Sequence, residues 1–141
     1  MAVLDADTIV KEIKSKDGLL LAIVAYNEKP ESQTVFYTCD PQLPMQVGRI
    51  VKTEGESVKQ HKHRHTVKTV IGTTEVLYIE KGSANVNIYD EKGEFVAQEL
   101  LTRGDIIVLF LGSHSLMFKE TTKMIEIKQG PYDPNEKEFV K

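Results

Sequence analysis

Three of the chain's four histidines fall within five residues, His61-Lys62-His63-Arg64-His65, each two positions from the next. A β-strand has a side-chain period of two, so on a strand all three imidazoles leave one face, about 6–7 Å apart. On a helix the same spacing scatters them around the axis. Neutral imidazole is a ligand for zinc, copper, iron and nickel, which makes such a strand face a metal platform. The plainer alternative is an ordinary solvated basic strand, because Lys59, Lys62, Arg64 and Lys68 surround the run. Two further residues carry comparable chemistry. Glu75 alternates with Leu77 and Ile79, and His114 alternates with Leu116 and Phe118. A carboxylate and an imidazole on apolar strand faces are costly unless they are paired, hydrogen-bonded at a wet rim, or bound to a metal.

The elements that must position these residues read as strands. Leu19–Ala25 is short, apolar and β-branched toward its end, after a turn at Asp17-Gly18. Gln33–Thr38 and Met45–Thr53 follow, separated by a loop over 27–32 and by a connection that Pro41 and Pro44 keep from being helical. Gly55 marks a turn before the histidine strand, and Glu75–Gly82 is the next strand. Ala84–Tyr89 sets Val86 and Ile88 against Asn85, Asn87 and Tyr89, the alternation of a half-buried strand. Asp90-Glu-Lys-Gly93 is a hairpin turn, Phe95–Leu101 returns, and Gly104-Asp105 turns again. Ile106–Leu111, His114–Phe118 and Lys123–Gln129 complete the set, and a proline-containing tail from Gly130 is expected to wrap the surface. Residues 1–17 fit either a short helix or a strand. Ten or so short strands between Gly, Pro and Asp turns predict an all-β barrel or sandwich.

Composition bounds the function. A length of 141 residues is one domain. With 18 basic and 21 acidic residues the net charge is −3, which points to neither nucleic acid nor a membrane surface as partner. No apolar run approaches the ~20 residues of a spanning helix, and the N-terminus lacks a signal pattern. The single cysteine, Cys39, excludes an internal disulfide framework and fits a reducing cytoplasm. It has no partner pattern for a nucleophile and reads as a core or loop residue.

Two stretches resemble the paired motifs of the cupin superfamily. The first motif, G-x5-H-x-H then E-x6-G, is matched by Gly55, His61, His63, Glu75 and Gly82, with eleven residues between His63 and Glu75 where the family has three or four. The second, G-x5-P-x-G-x2-H, is matched by Gly104, Phe110 (in place of Pro), Gly112 and His114, one residue early. The stretches Gly72–Tyr78, Gly112–His114 and Ile125–Tyr132 are similar to small bacterial cupins of surface-polysaccharide and nucleotide-sugar pathways. The resemblance implies a double-stranded β-helix, or jelly-roll barrel, with a core over about 45–129 and a tail over 130–141. Residues 1–44 would add N-terminal strands that extend the sheet. It implies a divalent transition metal (Fe, Mn, Ni or Zn) held by His61, His63, Glu75 and His114. The spacing alone also allows His63 and His65 as the pair; otherwise His65 is the catalytic base or a substrate contact, ranked ahead of Tyr78 on the opposite strand face. The implied activity is on a small polar, sugar-derived ligand, as an isomerase or epimerase. The alternatives are a non-catalytic carbohydrate or metabolite binder and an Fe(II) dioxygenase. A homodimer is expected, with the apolar strand at Leu19–Ala25 pairing with a partner's sheet.

Overall fold

The structure, a computed structural model, describes residues 8–27 and 34–140. The sequence left residues 1–17 open between helix and strand; β1 (Thr8–Lys14) is a strand, paired antiparallel with β2 (Leu20–Asn27). Two-residue strands β3 (Val35–Phe36) and β4 (Gly48–Arg49) form a small ladder. Then come β5 (Glu75–Lys81), β6 (Ser83–Tyr89), β7 (Phe95–Thr102), β8 (Ile106–Leu109), β9 (Ser113–Phe118) and β10 (Lys123–Lys128). The described chain has no helix, and every strand pairing is antiparallel. Five strands make one sheet in the order β1-β2-β8-β5-β10, and three make a second in the order β7-β6-β9.

Alternation along the strands builds two cores. Ala22 and Val24 of β2, Leu77 and Ile79 of β5, and Ile107 and Leu109 of β8 point one way. They meet Ala84, Val86 and Ile88 of β6 and Leu101 of β7, so this core fills the space between the two sheets. The intervening residues Ile23, Ala25, Val76 and Val108 point the other way and are covered by Val35 and Tyr37. Both faces of the central strands are therefore buried, which is why β2 and β8 read as continuous apolar runs while β6 alternates.

The turns are held by side chains whose chemistry the sequence shows. Asp90 Oδ1 accepts the N–H groups of Lys92 and Glu94, both at 2.9 Å, and Gly93 takes φ +83°. Asp105 joins two elements: its Oδ1 accepts the Asn27 N–H at 2.8 Å and its Oδ2 accepts the Thr102 N–H at 2.7 Å. Arg49 donates to Asn27 Oδ1 at 2.5 Å and to the Gly104 carbonyl at 3.1 Å. It clamps the base of the 50–74 segment to the end of β2.

Three expectations are corrected. Met45–Thr53 is a strand only at Gly48–Arg49, because Gln46 Nε2 donates to the Asp40 and Leu43 carbonyls and Thr38 Oγ1 takes the Val47 N–H. The histidine run is not a strand, and residues 50–74 carry no regular structure. A strand exists only where a neighbour takes its backbone hydrogen bonds, and among the described residues this polar run has none beside it. The Leu19–Ala25 stretch is no free edge for a partner, since β2 lies between β1 and β8. Most of the loop expected over 27–32, and the start of the strand expected at Gln33, lie outside the described residues.

Candidate functional site

Glu75 opens β5 and lies on the face of that strand which also carries Leu77 and Ile79 into the inter-sheet core. His114, the second residue of β9, belongs to the opposing sheet, where it registers with Ile88 of β6. Across the gap His114 Nε2 stands 3.4 Å from Glu75 Oε2, with the two side chains 29% and 22% exposed. The hydrogen bond from His114 holds the Glu75 carboxyl below the usual carboxylate range; partial burial opposes it, and the charges of His114 and Lys128 assist. The alternation of both residues with apolar neighbours thus carried them to one place from two different sheets.

Backbone geometry fixes where the imidazole sits. Gly112 has φ +78°, and a Cβ built on it would lie 2.1 Å from the Tyr89 carbonyl oxygen. Only glycine permits both the left-handed turn and this approach of the β8–β9 link to the end of β6. The Gly112-Ser113-His114 stretch is the device that aims β9 at Glu75.

Beside the pair lies a feature that the sequence did not flag. Thr74, buried just ahead of Glu75, donates its N–H to Gln129 Oε1 at 2.8 Å, and Gln129 Nε2 is buried without a hydrogen-bond partner. An amide just past the end of a strand is invisible to periodicity, because its role depends on which strand lies next to it.

The other three sequence candidates are elsewhere. His61, His63 and His65 are all exposed on the 50–74 segment. His61 and His63 stack edge to face with ring centroids 5.4 Å apart, and His61 Nδ1 lies 2.8 Å from the Lys59 carbonyl. Among the described residues no group of three or more His, Cys, Asp or Glu side chains is placed to hold a metal ion. The structure brings Glu75 to His114 and His61 to His63 as two separate pairs. Cys39 is exposed in the loop after β3 and donates weakly to the Phe36 carbonyl at 3.8 Å.

Arg103 and Arg64 are exposed. Among the described residues no helix is long and apolar enough to cross a membrane. Compared with known proteins, the chain matches no family model, no curated protein and no solved structure.

Proposed function

We propose that this chain is a metal-binding cupin, a double-stranded β-helix acting on a small polar, sugar-derived ligand by isomerase- or epimerase-like chemistry. The observation that carries the reading is the Glu75–His114 pair, a carboxylate and an imidazole contributed by opposite sheets and left partly open to solvent at 3.4 Å. That separation suits two donors on one ion with bonds near ~2.1 Å, and an N/O donor set suits iron, manganese, nickel or zinc. His61 and His63 would complete the set, with His63 and His65 as the alternative pair. Bound there, the metal supplies Lewis acidity toward ligand oxygens. The remaining work falls to the chain. Glu75 is kept ionised by its His114 hydrogen bond and so stays a charged donor. His65, two residues beyond His63, is the group that would take and return a proton at a carbon next to a carbonyl. The apolar floor of Leu77, Ile79 and Ile88 excludes water from the inner side of the site. The lone Cys39 suits a reducing cytoplasm.

Metal analysis of the purified protein tests this. About one divalent transition metal per chain is expected, and His61→Ala with His63→Ala should abolish it. Full metal content in the double variant would show the ligand set to be wrong. A greater loss from His65→Ala than from His61→Ala would move the pair to His63 and His65.

A further inference from the structure

One side of the two-sheet sandwich is closed and the other is open. On the closed side β1 meets β7: Lys11 Nζ is 2.6 Å from Glu99 Oε1, and Tyr26 donates its hydroxyl to the same carboxylate. On the open side stand β9 and β10, each the last strand of its sheet, joined by residues 119–122. Both carry apolar side chains into solvent, Met117 and Phe118 on β9 and Ile125 and Ile127 on β10. A free edge bearing such residues is a template for another strand.

The 50–74 segment has the complementary make-up. Two of its apolar residues touch almost nothing, Val67 at 97% and Ile71 at 94% exposed, and Val58 is two-thirds exposed at 66%. A turn divides it: the Glu56 N–H donates to the Thr53 carbonyl at 3.2 Å, the Thr53 N–H donates to Glu56 Oε2 at 2.6 Å, and Gly55 has φ +88°. The result is an arm whose short first limb stays on its own body, where Val51 exchanges hydrogen bonds with Thr34, and whose longer histidine limb faces a molecule with two unfilled edges.

We infer that the arm is exchanged between two copies of this chain, each arm adding its histidine limb to the open β9–β10 side of the other copy. Resting on the four-donor reading, the histidine stretch of that limb takes β9. Each metal site is then composite, with His61 and His63 from one copy and Glu75 and His114 from the other. The occupant is a second copy for three reasons. Both ends of the arm are tied to its own body, by Arg49 and the Val51 N–H to Thr34 Oγ1 at 2.9 Å at one end and by the Thr74 N–H to Gln129 Oε1 at 2.8 Å at the other, yet between them Val67 and Ile71 stand away from that body, 97% and 94% exposed. Arm and receiving edges belong to the same chain, so reciprocal exchange closes as an isologous two-fold dimer. Eight large apolar residues are exposed on the histidine limb and the two edges, and at roughly 100 Å² each they reach about the 800 Å² per partner of a standard interface.

The test uses metal-free full-length protein in EDTA. Light scattering at micromolar concentration should give twice the 15.9 kDa chain mass. In a Cys39→Ser background, Met117→Cys is combined with Val58→Cys or with Gln60→Cys, which covers the registers placing His61 or His63 opposite His114. Antiparallel neighbours sit within disulfide reach, so one of the two pairings should oxidise to a covalent dimer with two interchain bonds. A single-chain mass overturns the inference, as does an intrachain disulfide, which would mean that the arm folds onto its own body. The absence of a disulfide in both pairings overturns it too. Failure of wild-type protein to take up metal would sink the metal reading and leave exchange standing. An intrachain disulfide would sink exchange and leave a site within one chain.

Discussion

Replacing Gly112 by alanine tests the backbone device that aims His114. Two costs add at this position. The left-handed φ of +78° costs a residue with a Cβ about 1 kcal/mol. The new Cβ also meets the Tyr89 carbonyl oxygen at 2.1 Å and its carbon at 3.2 Å, and these are backbone atoms that cannot rotate aside. Overpacking of this kind costs about 1–3 kcal/mol, so the total is about 3 kcal/mol. A chain of 141 residues has an unfolding entropy near ~0.3 kcal/mol/K, which converts that loss to a drop of about 10 °C in Tm. Gly18→Ala is the matched control. Gly18 has φ +84° but nothing within 4 Å of the added carbon, so it should lose only about 1 kcal/mol and ~3 °C. Urea melts of the two variants at one protein concentration separate the clash from the dihedral cost. If both lose the same amount, the close approach of the β8–β9 link to Tyr89 is not what fixes His114, and the account of the site's geometry fails.

Two further perturbations probe the closed side and the pair itself. Glu99→Ala strips the Tyr26 hydroxyl and Lys11 of their shared, nearly buried acceptor and should cost about 2–3 kcal/mol in urea, whereas Glu99→Gln, which keeps an acceptor, should cost about 1; equal losses would show that the carboxylate is only packing. Glu75→Gln should lower metal affinity about 10–100-fold, read by titration of metal-free protein, and unchanged affinity would remove Glu75 from the ligand set. The same variant has a defined pH signature. Because His114 depresses the folded-state pKa of Glu75, the pair's contribution is full above the unfolded carboxylate range and fades as pH falls through the lower folded value. Wild type should therefore exceed Glu75→Gln by roughly 1 kcal/mol at pH 6, and the gap should close as pH falls below the usual carboxylate range; a gap that persisted in acid would mean that the charge of Glu75 is not the source.

Strands were legible where a local signal coincided with a tertiary one. Asn85, Asn87 and Tyr89 against Val86 and Ile88 gave β6 its faces, and the aspartate-glycine turns at 90–93 and 104–105 bracketed β7 within a residue of where it lies. Leu19–Ala25 reads equally clearly as a strand, and β2 runs over Leu20–Asn27, but its neighbours are not legible. An apolar run says that both faces are covered and is silent about both edges, so the sequence alone leaves that strand open to a partner where β1 and β8 already flank it. Met45–Thr53 failed for a different reason. Its apolar pattern serves to cap the outer face of the large sheet with Leu43, Met45 and Val47, and side-chain hydrogen bonds from Thr38 and Gln46 hold it there without a ladder.

The site divides along the same line. Glu75 was readable because it shares a strand face with buried Leu77 and Ile79, and His114 because it shares one with Leu116, which packs against the same core. The histidine run carries an equally good period of two but no buried partner on its own strand, so periodicity specifies a face for it without specifying a surface to meet. That is the situation of a strand whose neighbour must come from elsewhere, and it matches the free edges of β9 and β10 better than it matches a solvated loop. A basic surface loop has no need of Val58, Val67 and Ile71, each of which costs hydration while exposed. On the exchange proposed above, these apolar residues would supply affinity for the edge, and the period of two, realised once the run pairs as a strand, would set the three histidines toward the carboxylate that β5 presents.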